Sequence, residues 1–252
     1  MMNGLWKGSN ILVFKSDRAG SCMSGKKIEE KVRYMEFKQY RVDKDLIVIG
    51  AGMPGICAAI QAARLGLSVA LINNRGYLGG NASAEIGVSI DGADGMQEFN
   101  LWARETGIID ELRLENLYRN PQKNRYIWDA VLMDAVLSEE NIELFLNTNI
   151  DKVEMKADGL IEYVSGSQLG SEKRFNFYGP LFLDDTGDGT VGYLAGADYR
   201  MGRESRHEFG ESAAPEEADD CVLPSTLTFH AKDTGRPVRY IRPGFALDIA
   251  KT

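Results

Sequence analysis

The residues whose spacing most clearly indicates chemistry are three glycines, Gly50, Gly52 and Gly55, which directly follow the apolar run 46–49. Between a strand and a helix, the first glycine permits a tight turn and the second leaves the backbone open to a pyrophosphate. The third lets the helix lie close to the strand, and unpaired N–H groups at the helix start then face the phosphates. The spacing predicts a dinucleotide site, against the alternative of a turn with a structural role only.

The segments around these glycines have the composition of a βαβ unit. We predict a buried strand over 46–49 and a thin, alanine-rich helix over 54–65, which Gly66 would end. A second strand is predicted over 68–72, which is mostly apolar, as expected for a strand covered on both faces. The whole unit therefore spans 45–73.

The residues after the second predicted strand bear on which dinucleotide fits. Sites for nicotinamide and flavin dinucleotides usually have an acid there that binds the ribose hydroxyls, whereas this chain has Asn73. An amide can still donate to and accept from a hydroxyl, so we assign Asn73 to the adenosine ribose. Arg75 follows closely and leaves two alternatives open: it meets the 2′-phosphate of NADP, or it belongs to a second cofactor loop.

A second glycine-rich segment, 75–83, lies just beyond this point. It begins with Arg75 and contains the pair Gly79 and Gly80, followed by Asn81. A glycine pair lets more of the backbone approach a long cofactor. NADP sites have no general need of such a second turn, so the segment favours a flavin site.

Two blocks of the chain together resemble the FAD-dependent oxidoreductase family allied to the flavoprotein subunit of heterodisulfide reductase, whose FAD domain is of the glutathione-reductase type. The first block is 45–93, which contains the arginine followed by a glycine pair. The second is 181–203, where an apolar run ends in Gly187 and Asp188 before a predicted helix. The second block alone would also fit an ordinary β-turn, but the two blocks occur in the order that the family has.

The resemblance implies that FAD is the cofactor and gives individual residues a role. Arg75 would lie near the phosphates, the backbone near Ile150 would contact the adenine, and Asp188 would bond a hydroxyl on the ribityl or pyrophosphate side. The full set implied for cofactor binding is Gly50, Gly52, Gly55, Asn73, Arg75, Gly79, Gly80, Asn81, Ile150, Gly187 and Asp188.

The predicted fold class is α/β, with a Rossmann-like FAD-binding domain that has a parallel sheet and an inserted antiparallel β-meander, plus an incomplete second domain. We predict a third parallel strand over 142–146, a meander over 151–178 and a return strand over 181–183. A helix over 126–137 has an apolar stripe at helical spacing, which we assign to the core.

The predicted domain organisation has three parts. We expect 1–44 to be a loosely ordered extension, and 45–196 to be the FAD-binding domain with a helical insertion over 96–139. We expect 197–252 to begin a substrate domain that is cut short, because FAD domains of the resembled type recruit a final strand and helix after that domain. The chain would then be the N-terminal part of a longer flavoprotein, or a shortened gene product that binds the ADP half of FAD but holds the isoalloxazine poorly.

Composition limits the classes of partner. The net charge is −8, the sequence pI is about 5.0, and no tract rich in lysine or arginine stands out. We therefore expect neither nucleic acid nor membrane as a partner. As a separate expectation, the location is the cytoplasm. The three cysteines, Cys22, Cys57 and Cys221, form no CxxC pair, so we expect no metal.

Candidates for acid–base chemistry lie in a polar run near the end of the chain. Arg203, Glu204 and His207 are the residues considered, against the alternative of a solvated charged loop. We expect an FAD-dependent oxidoreductase that transfers a hydride or electrons to or from a small molecule, with substrate and electron acceptor left open. The alternatives are an NADP-dependent reductase and a non-catalytic nucleotide-binding remnant.

Overall fold

The computed structural model describes residues 37–90, 92, 103–157, 159–223, 232–239, 241 and 244. The chain divides into two compact units, Met1–Arg200 and Met201–Thr252. In the described part of the first unit there are eight strands: β1 (Lys38–Asp43), β2 (Leu46–Ile49), β3 (Val69–Ile72), β4 (Ile142–Phe145), β5 (Thr148–Ala157), β6 (Leu160–Gln168), β7 (Lys173–Tyr178) and β8 (Leu181–Asp184). The same part contains the helices α1 (Met53–Arg64), α2 (Ile108–Arg119), α3 (Arg125–Leu137) and α4 (Thr190–Leu194).

A four-stranded parallel sheet has the order β4-β3-β2-β8. In its register Leu46 lies opposite both Val69 and Leu181, and Val69 lies opposite Ile142. Helix α1 makes the crossover from β2 to β3, as predicted, and β4 is the predicted third parallel strand. The carboxyl ends of all four strands meet at one edge, which is where ligands bind in open α/β sheets.

The parallel sheet is covered on both faces, which explains why its central strands are apolar throughout. Val48 and Leu71 are fully buried in a core formed with α1, α2 and α3. Ile47 and Ile72 point to the opposite face, where they pack in a second core that contains Phe177 of β7. The predicted α/β fold class is confirmed.

The second sheet has the order β1-β7-β6-β5. Its strands β5, β6 and β7 pair antiparallel in sequence order, which is the predicted meander. Phe145 of β4 contacts Phe175 and Phe177 of β7 edge to face, with ring centroids 5.1 and 4.9 Å apart. These aromatic contacts pack the second sheet against one face of the parallel sheet.

Strand β1 was not predicted as part of either sheet. The expectation of a loosely ordered extension over 1–44 is wrong for Lys38–Asp43, which pairs parallel with β7. The physical reason is the alternation of Tyr40 and Val42, which both pack against the second core. Residues 1–36 lie outside the described residues.

The predicted helical insertion over 96–139 contains α2 and α3, whereas residues 93–102 lie outside the described ones. Helix α2 begins after Gly107, whose φ of 75° suits a glycine. Residues Val131, Leu132 and Val136 of α3 are buried in the core on α1. The predicted apolar stripe of this helix is therefore core, as expected.

The second unit is described at 201–223, 232–239, 241 and 244, where a short helix α5 (Arg206–Phe209) occurs. Arg203 and Asp219 form an isolated antiparallel bridge in this unit. Over the described parts of both units, no helix has the length and apolar character needed to cross a membrane.

Candidate cofactor site

The first glycine turn is so tight that two of its glycines leave no room for a side chain. Gly50 has a φ of 106°, and a Cβ built on it would lie 2.2 Å from the carbonyl oxygen of Asp185. A Cβ on Gly55 would lie 2.0 Å from the carbonyl oxygen of Gly50. A side chain at either position would therefore clash with backbone, so both glycines serve the fold of the turn.

Gly52 differs from Gly50 and Gly55 because the backbone does not require a glycine at this position. Its φ of −66° is open to any residue, and among the described residues the only atom within 4 Å of a built Cβ would be Cδ of Pro54, at 3.7 Å. Gly52 is the N-cap of α1 and provides no side-chain cap. The unpaired N–H groups of the first helical turn are therefore free to meet an anion. Pro54 has no N–H and does not contribute to them.

The second glycine turn docks directly on the first. Gly52 and Gly79 form a parallel β-bridge, and the N–H of Gly79 donates to the carbonyl oxygen of Ala51 at 2.8 Å. Gly79 and Gly80 have φ values of 99° and 56°, and a Cβ on Gly80 would lie 3.1 Å from Cα of Gly52. The two turns predicted to meet one cofactor are thus in contact with each other.

Asn73 explains how the two turns are held together. Its Oδ1 accepts from the N–H of Ala51 at 3.4 Å, and its Nδ2 donates to the carbonyl oxygens of Tyr77 and Arg75 at 2.7 and 3.3 Å. Asn73 is buried, and its amide both accepts from one turn and donates to the other. A carboxylate could not donate, so the structure gives a reason for an amide where related sites have an acid. Contact of Asn73 with a ribose stays a prediction.

Arg75 lies at the opening of the same region and is about half exposed. Its Nη1 forms an ion pair of 2.9 Å with Oε2 of Glu85. The positive charge of Arg75 is therefore partly balanced inside the second loop. This pair links the start of the predicted loop to the segment that follows it.

Helix α3 fixes the second loop from behind. The indole Nε1 of Trp128 donates to the carbonyl oxygen of Ala82 at 3.1 Å, and Oδ1 of Asp129 accepts from the N–H of Ala84 at 2.9 Å. Burial raises the pKa of the Asp129 carboxyl, an effect that the Ala84 N–H opposes and Glu85 reinforces. The loop thus rests on buried hydrogen bonds to a helix rather than on its own turn residues alone.

The turn after β8 is organised by Asp184 and Thr186. Oδ1 of Asp184 accepts from the N–H and the hydroxyl of Thr186, while Oδ2 accepts from the N–H of Gly192. The hydroxyl oxygen of Thr186 accepts from the N–H of Thr190 at 2.7 Å and so satisfies a donor at the start of α4. In the same turn, no atom of the described residues lies within 4 Å of a Cβ built on Gly187.

Asp185 is a residue that sequence reasoning missed. Its Oδ2 is buried and has no hydrogen-bond partner among the described residues. Asp185 also lines the cavity described next. Burial, followed by the nearby carboxylate of Asp184, raises the pKa of the Asp185 carboxyl. The available signal was its position directly after a strand of the parallel sheet, at the edge where ligands bind.

A cavity of about 530 Å³ opens at this edge of the sheet, which is within the usual range for ligand sites. Gly55 is the only predicted cofactor residue absent from its wall, since it lies beneath the turn. The predicted residues that the cavity brings together are Gly50, Gly52, Asn73, Arg75, Gly79, Gly80, Asn81, Ile150, Gly187 and Asp188.

The candidate acid–base residues belong to the second unit. Arg203 forms an ion pair with Asp219, and its guanidinium holds the pKa of that carboxyl well below its usual range. Glu204 and His207, the latter in α5, are both exposed. Their predicted catalytic role stays a prediction.

The residues at the cavity fit a dinucleotide pyrophosphate. Gly52 lines the cavity and is the N-cap of α1, so the cavity lies at the start of this helix. Because helix N-termini attract phosphates through their unpaired N–H groups and through the helix dipole, the cradle suits a diphosphate bridge. Strand order places β4 and β8 at opposite ends of the edge, so a long cofactor can lie across it.

Comparison with known sequences identifies the family. Residues 45–246 match the family described as FAD dependent oxidoreductase, and the chain therefore belongs to that family. FAD is the cofactor that defines it. The predicted family resemblance, cofactor and class of enzyme are confirmed at the level of the family.

Individual relatives match only part of their own length. The chain is 26% identical over 223 residues to the tRNA uridine 5-carboxymethylaminomethyl modification enzyme MnmG of Treponema denticola, which covers 81% of this chain and 34% of that protein. It is 33% identical over 75 residues to sarcosine oxidase subunit alpha of a Corynebacterium species, covering 30% of this chain and 8% of that protein. The chain thus spans about a third of the MnmG relative and less of the other.

Two solved structures match part of this chain at low sequence identity. L-proline dehydrogenase from P. horikoshii is 22% identical with a TM-score of 0.35, covering 62% of this chain and 25% of that chain. A geranylgeranyl bacteriochlorophyll reductase-like protein from Thermoplasma acidophilum is 16% identical with a TM-score of 0.43, covering 63% of this chain and 43% of that chain.

Proposed function

We propose that this chain binds FAD across the two glycine turns and belongs to an enzyme that transfers a hydride or electrons to or from a small-molecule substrate. The observation that carries the proposal is the bridge between Gly52 and Gly79. It makes one continuous wall from two turns that a shorter ligand would not need. When bound, FAD supplies the redox chemistry, and the protein supplies binding, orientation and local electrostatics.

In this proposal the main chain, rather than cationic side chains, neutralises the pyrophosphate. Among the described lining residues the only Lys or Arg is Arg75, which is already paired with Glu85. The N–H groups at the start of α1 and the space at Gly52 therefore carry the phosphate interaction. Gly80 and Asn81 would close the cradle from the second turn.

The two ends of the cofactor would lie at opposite ends of the sheet edge. Neighbouring strands are about 4.8 Å apart, so the edge from β4 to β8 spans roughly 14 Å. We assign the adenine to the β4 end, beside Ile150 and the Asn73 region. The ribityl side would then lie toward the β8 end, where Asp188 is exposed and Gly187 leaves space for the approach.

The nature of the substrate is a separate part of the proposal. The name of the MnmG relative refers to tRNA, but the net charge of this chain is −8. A protein that binds nucleic acid usually presents a basic surface to the phosphate backbone. We therefore propose a small-molecule substrate, a cytoplasmic location and no nucleic-acid or membrane partner.

An NADP-dependent reductase is the second candidate, with Arg75 on the 2′-phosphate. Against it, Glu85 contacts Arg75 and would stand close to that phosphate. A third candidate is a nucleotide-binding module without catalytic activity. A neutral residue at position 73 would suit such a module, but the hydrogen bonds of Asn73 to both turns account for it without any loss of function.

The test is cofactor analysis of the purified full chain. The proposal expects a yellow protein that releases FAD on denaturation and whose bound flavin is bleached by a chemical reductant and restored by an electron acceptor. Release of NADP, with no visible absorbance, would favour the second candidate. Binding of FAD that neither reductant nor acceptor can reach would favour the non-catalytic module.

A further inference from the structure

A second cavity, of about 430 Å³, adjoins the cofactor cavity. It lies between the segment 82–90 and the pair of helices α2 and α3, within the first unit. Ala82, Val88, Ser89 and Ile90 line both cavities. A molecule in the second cavity would therefore be separated from the cofactor cavity only by this short segment.

The charges on the wall of the second cavity all have one sign. Arg113, Lys123 and Arg125 line it, and no Asp or Glu is among its described lining residues. The chain as a whole has 37 acidic and 29 basic residues, so its composition would not produce this by itself. Within the part of the chain that the structure describes, neither Arg113 nor Lys123 forms an ion pair. The wall is suited to an anion.

The backbone makes room for one of these cations. Gly87 has a φ of 78°, and a Cβ built on it would lie 2.0 Å from Nη1 of Arg125. The guanidinium of Arg125 thus lies against the bare backbone of the second loop. Any other residue at position 87 would adopt an unfavourable φ and would force the end of the arginine side chain to shift.

The turn that carries Lys123 is fixed by a buried amide. Asn120 is 4% exposed, its Nδ2 donates to Oδ1 of Asn116 and to the carbonyl oxygen of Asn124, and its Oδ1 accepts from the N–H of Asn124. The N–H of Lys123 donates to the carbonyl oxygen of Asn120, and Lys123 has a φ of 54°. A non-glycine residue in this conformation is uncommon and is kept where the surroundings impose it.

Four apolar side chains form another part of the wall, beside the polar Ser89, Asn116, Asn120 and Asn124. Val88, Ile90, Leu117 and Trp128 line it together with the cations. The indole ring of Trp128 is 8% exposed and held by its hydrogen bond to Ala82. The cavity therefore suits a molecule that combines an anionic group with an apolar body.

We infer that the second cavity binds an organic acid, with its oxyanion at Arg113, Lys123 and Arg125 and its apolar body against Trp128. Guanidinium groups match carboxylates and phosphates with paired hydrogen bonds, so the shared chemistry is an oxyanion and we assign a carboxylate. This organic acid would be the substrate of the enzyme. That step rests on the proposed FAD site, because the two cavities share the segment 82–90.

The test uses benzoate as the probe, with benzamide as its uncharged match and phenyl phosphate as the second oxyanion. Binding is followed in the full chain, with FAD added, by the NMR signal of the Trp128 indole N–H. Benzoate is expected to shift this signal saturably, and benzamide to bind about tenfold more weakly or worse. Tighter binding of phenyl phosphate than of benzoate would overturn the assignment of a carboxylate.

Two variants locate the site. Arg113→Gln and Lys123→Gln are each expected to weaken benzoate binding about tenfold, whereas Lys156→Gln, on the exposed side of β5, should leave it within about twofold. Equal binding of benzoate by all four proteins would overturn the inference. The unfolding transitions of the variants, measured in parallel, show that any loss of binding is not a loss of fold.

The visible spectrum of bound flavin separates this inference from the proposed function. If the chain binds no FAD, the proposed function fails, while a saturable Trp128 shift would still establish the organic-acid site. If FAD binds but benzoate changes neither the Trp128 signal nor the flavin spectrum, the proposed function stands and the inference is overturned.

Discussion

The backbones of Gly50 and Asp185 approach so closely that a Cβ on Gly50 would lie 2.2 Å from the Asp185 carbonyl oxygen. The N–H of Asp185 donates to the carbonyl oxygen of Ile49 at 2.8 Å, so the ends of β2 and β8 are joined just below the cofactor cavity. Gly50 therefore has a role in folding that can be separated from cofactor binding.

Gly50→Ala is expected to lower the free energy of unfolding by about 2 to 4 kcal/mol, because it adds a clash with backbone to an unfavourable φ. Denaturant unfolding of the purified variant measures this. Gly66→Ala is the control, since Gly66 has a φ of 92° but open space around a built Cβ. If the two variants lose similar stability, the close approach at Gly50 has no energetic weight.

Asn73→Asp tests whether the amide holds the two turns together. A carboxylate would lose the donation to Tyr77 and Arg75 and would face their carbonyl oxygens in a buried place. We expect a loss of about 1 to 3 kcal/mol in the free energy of unfolding at neutral pH. Asn74→Asp, at an exposed neighbour, should change stability little. Equal stability of both variants would show that the Asn73 amide does not join the turns.

Thr186→Val tests the network that organises the turn after β8. The variant loses the hydroxyl that donates to Asp184 and accepts from the Thr190 N–H. Thermal or denaturant unfolding should show a loss of about 1 to 2 kcal/mol. Thr186→Ser keeps the hydroxyl and should recover most of that loss; a serine variant as unstable as the valine variant would point to the methyl group instead.

The buried carboxyl of Asp185 predicts a dependence of stability on pH. Because its pKa is raised in the folded chain, first by burial and then by Asp184, the folded state holds this proton more tightly than the unfolded state does. Its contribution is most favourable below the ordinary carboxyl pKa and is lost as the pH rises through the raised value. Asp185→Asn should therefore gain stability relative to wild type as the pH rises.

The measurement is denaturant unfolding of both proteins over a range from about pH 4 to about pH 8. Asp188→Asn is the matched control, since Asp188 is exposed in the same turn. A stability difference between Asp185→Asn and wild type that stays constant with pH would contradict the prediction.

Local patterns were enough to predict the parallel half of the fold. The apolar runs of β2 and β3 and the small residues of α1 follow rules of burial and helix geometry that act over few residues. Strand β1 was missed because its pairing with β7 joins residues that are far apart in sequence. Only the alternation of Tyr40 and Val42 hinted at it.

At the site, sequence rules identified the glycines but did not distinguish those that the backbone requires from the one that it does not. Close backbone approach explains glycine at positions 50 and 55, whereas the role of Gly52 in cofactor binding stays a prediction. The use of Asn73 as a link between turns depends on the docking of residues 73–80 on 50–52, which no local pattern reports. The desolvation of Asp185 likewise follows from packing.

FAD binding by Gly52→Ala, compared with wild type, tests most directly whether the pyrophosphate of FAD lies at Gly52. An alanine fits the backbone at Gly52 and, within the described part of the chain, meets no atom closer than 3.7 Å, but its methyl group enters the space assigned to the pyrophosphate. We predict unchanged stability of the FAD-free chain, within about 0.5 kcal/mol, and FAD affinity lowered by tenfold or more, about 1.4 kcal/mol. Wild-type affinity for FAD in this variant would contradict the account.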